Sequence, residues 1–145
     1  MYNKILLPIH HIHDERIFSG EKDLEIRKTA PRGGNYPYII YMYETKGHGG
    51  AGAVVGFFKC SCILKTNAFG SGLRASEGDA IRAEFMRRAC LSLDELAAYA
   101  RGDDLYGLVV STPIRFPRPR PLSDFGIDRA PQSWCYLRSA REAAK

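Results

Sequence analysis

A mixed α+β domain, with about five to seven strands curled into a compact barrel and a few short helices, is the fold class this sequence predicts. Three observations lead there. Short segments rich in β-branched and aromatic residues recur along the chain, each bounded by glycine or proline. Helix-like stretches are few and brief. No regular β-α-β alternation and no internal repeat is present, which excludes a doubly wound sheet or a solenoid.

The elements follow in order. Lys4 to Ile9 reads as a first strand, with Pro8 at its end or at a sheet edge. His10, His11 and His13 come next and lead into a short helix that Ser19-Gly20 stops, because glycine accepts the left-handed conformation of a helix C-terminus. From Leu24 to Lys28 apolar and charged residues alternate: Leu24 and Ile26 on one side, Glu25 and Arg27 on the other. A helix therefore hands over to a half-buried strand, with Lys22, Glu25, Arg27 and Lys28 at the junction.

Thr29 to Pro37 is a loop containing Arg32, and Tyr38 to Tyr43 is an aromatic-rich strand. The glycine-rich run from Glu44 to Gly52 lacks the G-x-x-x-x-G-K-[ST] pattern of a phosphate loop and reads as a hairpin connection. Ala53 to Leu64 reads as one long strand that Gly56 bends or bulges. A loop from Asn67 to Glu77 precedes a helix over Asp79 to Cys90, with Ile81, Phe85 and Met86 turned inward. Ser92-Leu-Asp-Glu95 is a capping box opening a helix that Gly102 closes. Leu105 to Thr112 is a strand. The run Ile114 to Pro121 continues extended, and its prolines assign it to a sheet edge. A turn spans Pro121 to Gly126, Pro131 to Leu137 is the last ordered piece, and residues 139–145 read as a flexible tail behind a single domain spanning 1–138.

Composition bounds the function classes. The 145 residues are 45% hydrophobic and 26% charged, ordinary for a globular domain with a proper core. No apolar run approaches the roughly 18 residues of a membrane span. The N-terminus lacks the pattern of a secretory signal, so a cytoplasmic location is expected. Cys60, Cys62, Cys90 and Cys135 form no CxxC pair. Cys60 and Cys62 share one strand face and read as core residues. The three histidines find no cysteine or carboxylate at ligand-like spacing, so neither metal nor cofactor is expected. A histidine lining a polar cleft beside Lys22 is the more natural reading. The net charge of +5 permits nucleic-acid binding without requiring it.

Five stretches together resemble one family. They are Pro8-Ile-His-x-x-His13, Ile17-x-x-Gly20-x-Lys22, Glu25-x-Arg27-Lys28, Tyr41-x-Tyr43 with Val54-Val-Gly-Phe57, and Pro131-Gln-Ser-Trp134-x-Tyr136. In this order they resemble the activating-signal-cointegrator homology (ASCH) domain of the PUA-like superfamily, in its small bacterial and phage form. The resemblance runs from about Lys4 to Leu137, and its most specific part is the G-x-K-x-x-E-x-R element. It implies a PUA-like mixed β-barrel with short helices at its mouth, and a cleft floored by Lys22, Glu25 and Arg27. It also implies binding of RNA or a nucleotide-like ligand. Deacetylation of acetylcytidine and RNA cleavage are enzymatic outcomes known in the family. The deacetylating set is not retained, because Glu25 stands where its threonine nucleophile belongs and Ala89 where its carboxylate belongs.

The expected binding set is Lys22, Glu25, Arg27, Lys28, Arg32, Tyr43, Thr45, Ser133, Trp134 and Tyr136. An anionic Glu25 accepts from an exocyclic amine, the cations bind carbonyl or phosphate oxygens, and aromatic rings stack on bases. Trp134 is either such a platform or a plug closing the core. The alternative is metal-free ribonuclease or modified-nucleoside hydrolase chemistry, with Lys22 and Glu25 as acid and base. A third reading makes the domain a protein-interaction scaffold. Arg115, Arg118 and Arg120 either flank the cleft or serve only as solubilising charge. The ligand itself and the oligomeric state are not legible in the residues.

Overall fold

In the computed structural model, which describes residues 3–66 and 75–138, eight strands make two sheets. β1 (Lys4–Ile9) is followed by α1 (His11–Ser19) and β2 (Leu24–Arg27); β3 (Tyr38–Glu44) and β4 (Ala53–Cys60) come next, then β5 (Ile63–Thr66). Two helices, α2 (Ala75–Ala89) and α3 (Leu93–Ala100), precede β6 (Leu105–Val109), β7 (Ser111–Arg120) and β8 (Cys135–Tyr136). The larger sheet has the order β7-β4-β3-β1-β8, and the smaller β2-β6-β5. β1 and β3 run parallel, with Lys4 opposite Ile39, while the other pairings are antiparallel. The expected mixed α+β class is thus observed, with the strands arranged in these two sheets. Among the described residues no helix is long and apolar enough to cross a membrane.

Alternation explains the core. On β3, Tyr38, Ile40, Met42 and Glu44 are buried and the residues between them less so. The first three pack with Ile5, Leu7 and Phe58. On β2, Leu24 packs with Ile26 against Phe85 and Ala89 of α2 and Leu96 and Ala100 of α3. Glu25 and Arg27 therefore face away from the helices and toward the end of β1. Helix α1 stops where expected, with Gly20 left-handed at φ 86°. Helix α3 carries both halves of its capping box: Glu95 N–H donates to Ser92 Oγ and Ser92 N–H to Glu95 Oε1, each at 3.1 Å.

Several expectations change. The single strand over Ala53–Leu64 divides at Ser61-Cys62, where the chain leaves the larger sheet and enters the smaller. Cys62 is consequently exposed while Cys60 is buried, so the two do not share a buried face. The run Leu105–Thr112 also divides, β7 taking over at Ser111. Helix α2 starts at Ala75, inside the segment expected to be loop, and Ile81 is exposed where it was expected to turn inward. The rest of that loop, residues 67–74, and the tail 139–145 lie outside the described residues. The proline-broken run does form an edge strand, as β7.

Gly56 sits at a bulge: β3 and β4 shift register between Met42 and Tyr43, with Met42 opposite Gly56 and Tyr43 opposite Val54. A Cβ at Gly56 would stand 2.3 Å from the Ile114 carbonyl oxygen and 2.7 Å from Phe18 Cζ. Backbone of β7 would have to move. Gly56→Ala is expected to cost about 1–3 kcal/mol, read as a lowered denaturation midpoint; an unchanged midpoint would show that β7 yields freely.

Candidate functional site

Four chain segments meet at the end of β1 to form a cleft of about 460 Å³. β2 supplies Glu25 and Arg27, the turn before it Lys22, α1 His13, and the β3 end Thr45; Glu95 and Tyr99 of α3 stand at the rim. Lys22, Glu25 and Arg27 are thus brought together to line one cleft. Lys22 is 1% and Glu25 5% exposed. Such charges persist in an interior only when paired and hydrogen-bonded.

The pairing is specific. Lys22 Nζ donates to the Ala89 carbonyl oxygen at 2.7 Å, at the end of α2. Arg27 donates from Nη2 to the Pro8 carbonyl at 2.6 Å and from Nη1 to the Ser133 carbonyl at 3.3 Å. Glu25 Oε1 lies 4.0 Å from Lys22 Nζ and 4.0 Å from Arg27 Nε, and accepts from the Ile26 N–H at 3.2 Å. Glu25 Oε2 is buried without a hydrogen-bond partner among the described residues, and so is His13 Nδ1. Burial pulls Lys22 below the ordinary lysine pKa, Glu25 opposing. Burial, then the Lys22 charge, pulls His13 below its ordinary value of 6.5. His13, like His10, lines the cleft that holds Lys22, the setting the sequence suggested for one of the histidines.

The remaining expected residues divide. Thr45 lines this cleft, its Oγ1 3.2 Å from His10 Nδ1. Ser133 contributes through its carbonyl, already engaged by Arg27. Lys28, Arg32, Trp134 and Tyr136 line a second cavity of about 650 Å³, together with Tyr36 and Tyr106. There Trp134 Nε1 donates to Thr29 Oγ1 at 2.9 Å, and the Trp134 and Tyr136 rings meet edge-on at 5.1 Å. Trp134 also packs on the main core while lining that cavity. Tyr43 belongs to neither hollow. Strand alternation turns it to the opposite face of the larger sheet, against Leu6, Val54 and Leu137.

Positive charge is distributed unlike the expected basic cleft. The floor balances Lys22 and Arg27 against Glu25, with Glu95 at the rim. The second cavity carries Lys28, Arg32 and Lys65, of which Lys65 meets Asp104 at 3.3 Å. Arg115 and Arg120 of β7 pair with Glu15 and Asp124 and flank neither hollow.

Asp14 and Glu44 were not among the residues expected from the sequence to form a site. Both are buried, and they meet His11 and Glu15 where α1 approaches the end of β3. Glu44 was foreshadowed by the alternation of β3, which continues one residue past Tyr43. Asp14 had no comparable signal, since a single acid on a short helix reads as exposed.

Comparison with known proteins supports the fold. The crystal structure of ASCH from Zymomonas mobilis superposes with a TM-score of 0.74 at 20% identity, covering 98% of this chain and 91% of that one. Structures of two single-residue variants of that protein, one Tyr-to-Phe and one Ser-to-Ala, match at TM-scores of 0.73 and 0.74 and 19% identity. The first covers 94% of this chain and 91% of its own, the second 95% and 90%. No family model and no curated protein matches. The chain shares the fold of these ASCH structures.

His13 gives a pH dependence with a definite sign. In the unfolded chain it binds a proton near pH 6.5, whereas in the fold it does so only at lower pH. The unfolded state therefore holds more protons in that window, and His13's contribution to stability falls as pH drops below 6.5. Between about pH 7.5 and about pH 5.5, His13→Gln is expected to lose less stability than the parent in urea unfolding. Equal losses would place the titration elsewhere.

Proposed function

We propose that this chain is an ASCH module that binds single-stranded RNA or a nucleotide, taking one base edge in the Lys22/Glu25/Arg27 cleft. The observation that carries the reading is a pair of buried polar atoms with no hydrogen-bond partner among the described residues, the acceptor Glu25 Oε2 and the ring nitrogen His13 Nδ1, in residues that line a cleft held by two cations. A buried acceptor without a donor is costly, and an exocyclic amine such as that of cytosine or adenine supplies the missing donor. The cleft volume falls in the range of small-ligand sites, roughly 300–1,000 Å³. The adjoining cavity, with Lys28, Arg32, Trp134 and Tyr136, offers stacking surface and phosphate-binding charge to a neighbouring nucleotide.

Burial of Lys22 Nζ and its bond to the Ala89 carbonyl favour binding over cleavage, because an acid or base must reach the ribose hydroxyl. The departures at Glu25 and Ala89 from the deacetylating set point the same way. The position of Ala89 serves here as a carbonyl anchor for Lys22.

Fluorescence titration of short single-stranded RNAs tests the reading. Affinity is expected to fall with salt, with a slope of log K on log salt of about −0.7 for each phosphate engaged. Lys22→Met is expected to weaken binding several-fold, with circular dichroism confirming that the fold is kept. Tyr136→Ala should cost roughly 1–3 kcal/mol if a base stacks there. Salt-independent binding, or none to any RNA or nucleotide, would overturn the proposal.

A further inference from the structure

On the far side of α1 from the cleft floor, four potential ligands converge at its contact with the end of β3. His11 Nδ1 lies 3.1 Å from Glu44 Oε2 and 4.0 Å from Glu15 Oε1. One donor atom each from His11, Asp14, Glu15 and Glu44 falls within 4.8 Å of the others. Ligands about 2.2 Å from a common ion stand about 3 Å apart when adjacent and about 4.4 Å when opposed, so the spacing fits one first-row cation. Asp14 is 0% exposed, and neither of its carboxyl oxygens has a hydrogen-bond donor among the described residues.

Charge leads to the same place. Three carboxylates meet one guanidinium, that of Arg115, which grips Glu15 through two bonds of 2.9 and 3.0 Å. With Asp14 ionised and His11 neutral, as a ligand imidazole must be, two negative charges remain, the amount one divalent cation neutralises. Otherwise a proton must be held between Asp14 and Glu44. His11 and Glu15 are partly exposed, leaving the cluster open to solvent. Neither Asp14 nor Glu15 has any part in the proposed nucleotide cleft.

We propose that His11, Asp14 and Glu44, with Glu15 as an outer ligand shared with Arg115, form a site for a divalent first-row cation such as Mn2+. One imidazole with several carboxylates is the donor set such hard-to-intermediate ions select. The ion fastens α1 to the end of β3. His13 of the same helix and Thr45, next to Glu44, line the cleft, so the clip holds two of its walls in register.

Electron paramagnetic resonance titration of the EDTA-treated full chain with Mn2+ alone tests this. One ion per chain should bind, and the thermal midpoint should rise with Mn2+. Asp14→Asn, nearly isosteric and without the buried charge, should weaken binding by at least about tenfold, as should Glu44→Gln. Asp128→Asn, an exposed acid elsewhere, should bind like the parent. No uptake of Mn2+, or uptake that survives both Asp14→Asn and Glu44→Gln, would overturn the proposal.

Discussion

Burial of Lys22 and Glu25, joined by the partly buried Arg27, between four chain segments is the constraint on which the rest of this structure depends. Removing an ion from water costs several kcal/mol, and the cost is offset only when its hydrogen bonds are met. Here the acceptors come from places far apart in sequence: Ala89 at the end of α2 for Lys22, and Pro8 of β1 and Ser133 before β8 for Arg27. Glu25 stands between the two cations. No single pair of elements can form this arrangement, so it exists only when both sheets and α2 are in place. The same requirement makes the cleft rigid, because moving either cation breaks a bond to the frame.

The strand β2 divides the work between its faces. Leu24 and Ile26 complete the core beneath α2 and α3, while Glu25 and Arg27 build the cleft floor. One residue further on, Lys28 joins the aromatic cavity with Trp134 and Tyr136. Two hollows of different character therefore share one short element. The first sets Lys22 and Arg27 against Glu25 and Glu95; the second is cationic and aromatic. A base edge and a neighbouring phosphate or ring ask for just these two environments.

Elsewhere the charges are spent on the surface or on the α1–β3 joint. Arg115 covers the Phe18 ring at 4.2 Å, and Arg120 lies over Phe116 and Phe125 at 5.4 and 4.9 Å. Both hold carboxylates while shielding apolar surface of an edge strand, where three prolines already remove donors. This accounts for much of the arginine-rich run without any ligand. Asp14 and Glu44 are different, since two carboxyl groups buried together require a proton or a cation between them.

What the residues alone determined were the local properties. Gly20 ended α1, the Ser92/Glu95 box opened α3, prolines put β7 at an edge, and the alternation of 24–27 separated an apolar from a charged face. Each is decided within a few residues by sterics or by a nearby hydrogen bond. Tertiary structure decided what depends on partners distant in sequence. It split the run after Ala53 between two sheets, turned Tyr43 away from the cleft, and separated Lys22 from Trp134 into different cavities. It also set Asp14 beside Glu44. A strand pattern tells which residues share a face. Which other segment that face will meet is set by burial and charge pairing across the whole chain, and those appear only once it has folded.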